Sequence, residues 1–348
     1  MNKRSQKKGN TLMRIGIVGL HYGHIGGILE STLSAPDAEL VGVVEADDSL
    51  CERFIGTLSI PRFKSIDELL TSARPELVVE GLRHDGKAEL VEKCASAGAH
   101  VLLDKPLCRS LEDWTRMRDA VRTHGIQLSM WFTSRSYPPF IALRQIIESG
   151  ELGELVSLIS THPHKLQRET ATPWYFDDEI YTGTFHDLAG HGIDQVRWLT
   201  GAEFKGVHAQ WTCKRFTDTP QLIDHAQASF SLDDGSLATL TADWLTPQAS
   251  PSFGDTRFII MGTRGSAHLR AYAQDHLYVV SEAKGAYEAL LPSARGSVFV
   301  QELITAIEHG QSPFINTRDV FATAYAGLQA QESAKLGGQF ITLDDMGL

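Results

Sequence analysis

Asp187 and His191 stand four residues apart and Lys105 precedes a proline, and these three residue types together can move a proton on and off a hydroxyl group. Histidine is the side chain whose unperturbed pKa suits reversible proton transfer near neutrality, and a carboxylate one turn away can orient it or stabilise its charged form. On a helix, Asp187, His191 and Asp194 fall at i, i+4 and i+7 and would project from one face. Gly190 and Gly192 flank His191. They lower helix propensity there, which points to close approach by something. Lys105 lies between Asp104 and Pro106. Proline cannot continue a strand and restricts its predecessor to extended backbone, so it would hold the lysine at a strand end. A partly desolvated lysine there can hydrogen-bond a substrate hydroxyl. Taken alone, each of these residues is more often a satisfied helix-face histidine, a solvated carboxylate or a surface ammonium. Their placement argues for a site.

A second constellation is the run Gly19, Leu20, His21, Tyr22, Gly23, His24, Ile25, Gly26, which follows an apolar stretch and leads into a helix. A dinucleotide site needs glycines here so that backbone amides at a helix N-terminus can approach a diphosphate. The spacing departs from G-x-G-x-x-G because His21 and His24 occupy the second and third glycine positions, and such turns also occur without a ligand. Glu45 ends the next strand, 22 residues beyond Gly23, where a carboxylate can accept from a ribose 2′-hydroxyl. Ala46, Asp47 and Asp48 follow it with no cation for a 2′-phosphate, which favours NAD over NADP. The plainer reading of Glu45 is a solvated strand end.

Both constellations need elements to position them. From Arg14 onward, short β-branched runs alternate with helix-like segments, the pattern of a doubly wound parallel sheet. Strands are expected at Arg14–Val18, Glu39–Glu45, Leu77–Glu80, His100–Leu103 and Gln127–Phe132. Ser65 with Glu68 forms a capping box, and Gly98 and Gly125 sit where helix C-caps belong. Lys105 would then lie outside the carboxyl end of the fourth strand, where open α/β sheets bind ligands. Beyond about residue 134 the pattern changes. A helix over Tyr137–Ser149, a strand over Glu154–Ser160, a polar aromatic loop over Thr161–Thr184 and a helix over His186–Leu199 are expected. Strands at Phe204–Lys214, His225–Leu232, Leu237–Leu245, Arg257–Met261 and His276–Ser281 follow, with a hairpin turn at Asp233–Ser236. Helices over Val298–His309 and Asp319–Lys335 precede a strand at Gln339–Leu343. This predicts an α+β second domain whose mainly antiparallel sheet has one face covered by helices and one free for a dimer. The expected division is a disordered leader over 1–12, a first domain over 13–134 and a second over 135–348, with Met13 a candidate natural start.

Bulk properties exclude several classes. A chain of 348 residues is long for one hydrophobic core, and 42% apolar with 22% charged residues is ordinary for a globular protein. A formal net charge of −11 opposes binding to nucleic acid or anionic lipid. The basic run Lys3, Arg4, Lys7, Lys8 is not followed by a segment of signal-peptide type, and no window approaches the roughly 18 apolar residues of a membrane span. Cys51, Cys94, Cys108 and Cys213 have neither metal-ligand spacing nor disulfide density, so the cytoplasm is expected. His162 and His164 are two apart on a predicted strand, but no Cys pair or His-Glu-x-x-His accompanies them, so no metal is expected.

The glycine turn, Asp104-Lys105-Pro106, the Arg135–Pro138 segment and Gly183–Asp194, in this order and spacing from about Arg14 to Leu343, resemble the glucose-fructose oxidoreductase, inositol dehydrogenase and MocA family. The resemblance implies a Rossmann domain followed by a domain with a large open sheet. It also implies NAD(P)-dependent oxidation or reduction of a sugar, inositol or other small polyhydroxylated substrate, in a homodimer or homotetramer built through the second sheet. The family's Glu-Lys-Pro appears as Asp104-Lys105-Pro106 and its D-x-x-x-H as Asp187 and His191. By that carry-over His191 looks like the proton acceptor, with Lys105 and Asp187 polarising or relaying. Gly19, His21, Tyr22, Gly23, His24, Glu45, Leu82, Arg83, Asp104, Lys105, Pro106 and Arg135 are the expected cofactor contacts. His162, Trp174 and Tyr175 are expected to join Lys105, Asp187 and His191 around the substrate, with His164 and His186 as weaker candidates. Lys87 stands where many members have a histidine. Two other functions fit such a chain: a redox-silent dinucleotide-binding sensor, and elimination or epimerisation assisted by transient oxidation.

Overall fold

The computed structural model describes residues 12–168, 173–219 and 222–343. The leader expected at the start lies outside them, apart from Leu12. Six parallel strands form the first sheet: β1 (Met13–Val18), β2 (Ala38–Val44), β3 (Arg62–Phe63), β4 (Leu77–Glu80), β5 (His100–Leu103) and β6 (Leu128–Met130). Their order is β3-β2-β1-β4-β5-β6. The winding direction reverses between β1 and β4, which opens a crevice at their carboxyl ends. β4 is buried along its whole length, as its unbroken Leu-Val-Val run requires of a strand covered on both faces. Gly98 and Gly125 terminate their helices with positive φ as expected, and Ser65 accepts from the Glu68 N–H, but the expected capping box is only half made because the Glu68 carboxylate accepts from the Lys64 N–H. β3, two residues long, carries too little pattern to be read in advance.

The second sheet has nine strands among the described residues. They are β7 (Leu155–Pro163), β8 (Phe204–Thr212), β9 (His225–Leu232), β10 (Leu237–Asp243), β11 (Thr256–Gly262), β12 (Gly265–Ala271), β13 (His276–Ser281), β14 (Gly285–Glu288) and β15 (Ile341–Thr342). All pair antiparallel except β7 with β10. β12 and β14, rich in Gly, Ala and Ser, were not expected as strands; their neighbours, not their own propensity, draw them into the ladder. Along β7 and β11 the burial alternates, with Leu158, Phe258 and Ile260 inside. Helices Pro138–Glu148, Gly190–Thr200 and Thr317–Lys335 cover that inner face. On the other face Ile159 pairs with Ile259, and the register adds Met261, Tyr278 and Val280. All five are at least 37% exposed, so this face is open.

Two apolar clusters make up the core, and the chain passes between them repeatedly. Tyr22, on the turn after β1, packs into the second cluster. Phe299, Leu303, Val320 and Phe321, beyond β14 in sequence, pack into the first, where the Trp114 indole donates to the Phe321 carbonyl at 2.9 Å.

Candidate active site

The β5–β6 ladder ends at Leu103 and Met130, so the following Asp104-Lys105-Pro106 segment leaves the sheet just where its lysine is needed. Lys105 is 4% exposed, and its Nζ lies 2.5 Å from Asp187 Oδ1 and 3.2 Å from the Asp187 carbonyl oxygen. Asp187 is fully buried and accepts twice more, from the hydroxyls of Tyr22 and Tyr181, each at 3.0 Å. Burial alone would push the Asp187 carboxyl up, but the adjacent Lys105 charge together with the hydrogen bonds from Lys105 and Tyr22 outweighs it and holds the group well below the usual carboxylate range. Burial, then the Asp187 charge, raises both tyrosine hydroxyls, which keeps them protonated donors. One carboxylate thus ties the end of β5, the glycine turn and its own segment.

His191 reaches the same place by another route. The expected single helix is two, Thr184–Leu188 and Gly190–Thr200, broken at Ala189. Among the described residues no hydrogen bond joins Asp187 to His191: the carboxylate accepts from Lys105 and two tyrosines instead. The third member, Asp194, points elsewhere, receiving two hydrogen bonds from Arg135 at 2.6 and 2.8 Å. His191 packs edge-on to Phe132, and its Nδ1 is buried without a hydrogen-bond partner among the described residues. Burial, followed by the Lys105 charge, pushes its pKa well below the ordinary imidazole value. It is therefore a neutral imidazole at pH 7. Gly192 is small because a Cβ there would come within 2.1 Å of His162 Nε2, so the close approach expected there is by an imidazole, whereas nothing lies within 4 Å of a Cβ at Gly190.

Lys105 and His191 line one cavity of about 410 Å³, together with Tyr22, Gly23, His24, His162, His164 and Tyr175. Trp244 and Phe253 wall its far side, and Ser134, Thr256 and Tyr272 add hydroxyls. Burial lowers the pKa of His162 to about 3 and of His164 to about 4, so both face the cavity as neutral groups, each able to donate and to accept. Trp174 does not line it: it is buried behind Tyr175, stacked on it at 4.4 Å. His186 is likewise turned away, packed against Gly327, whose Cβ would sit 2.3 Å from its Nδ1.

A second cavity of about 570 Å³, lined by Leu20, His21, Arg53 and Phe54, shares Gly23, Tyr175, Trp244 and Phe253 with the first. Gly19 has φ +75°, and Leu82 lies 2.7 Å from where its Cβ would be, so no other residue fits that turn. Around Gly23 there is open space. Among the described residues the N–H groups of Gly23 and His24 have no acceptor, although they open the helix Ile25–Leu33. Unpartnered amides at a helix start, beside a cleft and with no side chain in the way, fit the diphosphate of a dinucleotide. Glu45 is 6% exposed; its oxygens accept from the Leu20 and Asp47 N–H groups, and His21 Nε2 lies 3.5 Å away. Each carboxylate oxygen keeps a lone pair for a further donor.

Other expected cofactor contacts sort differently. Asp104 Oδ1 accepts from the Lys105 N–H and meets His24 Nδ1 at 3.1 Å. The Pro106 carbonyl accepts from Lys87. The Arg83 guanidinium is paired with Asp85 and lines neither cavity. Arg135 lines neither cavity, and four of its five N–H donors go to Asp194, Asp319 and the Phe314 carbonyl. Sequence reasoning missed Tyr181 and His84. The His84 ring stacks on Tyr181, contacts Tyr22 and accepts from the Thr182 N–H at 3.3 Å. Neither stands in a spacing motif, so only the fold brings them in.

A parallel sheet of this strand order, with a glycine turn at the reversal point and a second sheet behind the cleft, is the architecture of a dinucleotide-dependent oxidoreductase. Residues 13–132 match the oxidoreductase family with NAD-binding Rossmann fold and residues 140–268 its C-terminal domain, and the chain belongs to this Gfo/Idh/MocA family. A scyllo-inositol 2-dehydrogenase (NAD(+)) of Bacillus subtilis is 23% identical over 332 residues, 93% of each chain. A myo-inositol dehydrogenase of Streptomyces leeuwenhoekii is 30% identical over 260 residues, 73% of this chain and 75% of that one. An oxidoreductase from Agrobacterium radiobacter, solved with NAD+, L-tartaric acid and magnesium, matches with a TM-score of 0.83 over 95% of this chain and 98% of that one; at 20% identity the likeness is of fold. Among the described residues no helix is long and apolar enough to cross a membrane.

Proposed function

We propose that this chain is an NAD-dependent dehydrogenase of a small polyhydroxylated compound, a sugar, inositol or related polyol. The observation that carries the reading is the meeting of Lys105, braced by Asp187, with neutral His191 on one cavity beside the glycine turn. The names of the two inositol dehydrogenases support the substrate class. Gly19, Gly23 and His24 would hold the dinucleotide diphosphate and Glu45 its ribose. When bound, NAD supplies the acceptor for the hydride leaving the carbinol carbon. Lys105 Nζ donates to the substrate oxygen and steadies the charge that develops there. His191 takes the hydroxyl proton, as a neutral imidazole can. Asp187 keeps the ammonium in place, and Tyr175, Trp244 and Phe253 exclude water and offer flat faces to a ring.

A panel of polyols and sugars, inositols first, should produce NADH absorbance with the wild-type protein. His191→Ala should lower kcat by about 10²-fold. No NADH from any member, or full activity of His191→Ala, would sink the reading.

The open face of the second sheet is assigned to a second copy of this chain. Ile159, Ile259, Met261 and Val280 form an apolar patch that water would otherwise meet. Ile159→Glu with Ile259→Glu should halve the mass seen by light scattering; an unchanged mass contradicts the assignment. Four free cysteines suit a reducing cytoplasm.

A further inference from the structure

Glu80 and Lys87 are an ion pair that neither fold stability nor helix preference explains. They are 0% and 1% exposed, with Nζ 2.9 Å from Oε1. Pairs so placed contribute little net stability, because desolvation offsets their attraction and apolar side chains of the same volume do as well. Lys87 is also the first residue of the helix Lys87–Ala97, where the macrodipole disfavours a cation.

The partners show what the pair does. Lys87 Nζ donates to the carbonyls of Asp104 at 2.6 Å and Pro106 at 3.0 Å, the residues on either side of Lys105. Glu80 Oε1 accepts from the Asp104 N–H and its Oε2 from the Leu82 N–H, both at 2.7 Å. The segment has left the β5 ladder, and Pro106 has no N–H to offer. Three of its backbone groups are therefore held by two side chains, and the ammonium spends all three protons.

We propose that Glu80 and Lys87 are positioning residues that fix the Asp104–Pro106 backbone and so aim the Lys105 ammonium at the cavity. The inference rests on the reading of Lys105 as the hydroxyl contact, yet it concerns the placement of that side chain. A placement error of an ångström is enough to slow an enzyme strongly. The signature is a loss of turnover without a loss of binding.

The test uses Lys87→Met and Glu80→Gln in the full chain. Wild type and variants are acetylated briefly, and Lys105 labelling is followed by peptide mass spectrometry against Lys93, a half-buried lysine on the helix Lys87–Ala97. Kinetic constants and NADH affinity are measured alongside. Lys105 labelling should rise severalfold over Lys93, and kcat should fall about 10- to 100-fold, with KM and the NADH Kd within about threefold of wild type. Wild-type labelling of Lys105, or a lowered Tm with kcat per folded molecule unchanged, overturns the proposal. Should Lys87→Met not fold, the milder Glu80→Gln gives both readouts. If the wild type oxidises no polyol, the proposed function fails, while the labelling still decides this inference.

Discussion

Lys105→Met is expected to lower kcat by about 10³-fold, the largest catalytic loss of any single substitution in this cavity. Methionine keeps the length of the side chain and removes the donor and charge that face the substrate oxygen. The same change strands Asp187. With its cation gone, a fully buried carboxylate keeps only the two tyrosine hydroxyls, and the fold should lose about 3–5 kcal/mol. The two losses separate in a double variant. Lys105→Met with Asp187→Asn should recover most of the thermal stability and none of the turnover, because the amide needs no counter-charge. The sign of the pH effect follows from the depressed Asp187 carboxyl. Its contribution is present above the ordinary carboxylate range and disappears in wild type as pH falls through the lowered pKa. Calorimetry and initial rates on wild type and the two variants check this. Turnover of Lys105→Met within about tenfold of wild type would show that the ammonium does not touch the reacting oxygen.

The fold should also be unusually sensitive to mild acid. His84, His162 and His186 are each no more than 2% exposed, and burial lowers the pKa of all three, to about 3 for His162 and about 4 for His186. A group whose folded pKa lies below its unfolded value favours folding at high pH. The contribution is complete above about pH 6.5 and erodes as the unfolded chain gains protons that the native state refuses. At pH 5 His162 and His186 have each lost roughly 2 kcal/mol, and His84 adds to this in the same direction. Glu80 and Asp194, whose carboxyls burial raises, offset part of that. The remainder is still several kcal/mol, a large share of the 5–15 kcal/mol that holds a typical protein folded. Thermal melts between pH 7.5 and 5.0 should fall steeply, and His186→Gln should flatten the curve. A Tm independent of pH across that range contradicts the account.

Much of the site was legible because its residues lie where the chain changes direction. A glycine turn after a strand and a proline after a lysine mark strand ends whatever the partners are, so Gly19, Gly23 and Lys105 could be placed from spacing alone. The partnerships were not legible. Asp187 and His191 at i and i+4 implied a helical pair, but the helix breaks at Ala189 and the carboxylate turns to Lys105, 82 residues earlier. Arg135 has the charge for a phosphate, yet Asp194 and Asp319 claim it, a choice that only the packed helices decide. Periodicity tells which face of a helix is apolar, not what it will meet. The return of Phe299 and Phe321 to the first core therefore has no signature in the sequence.

That return bears on how the chain could be dissected. A fragment ending after β6 would lack the helices that carry Phe299, Leu303 and Phe321 and would expose the apolar surface they shield. The complementary fragment would lose Tyr22 from its own interior. Two such halves made separately would each be unfinished, and reassembly on mixing would be needed for either to behave as a native body.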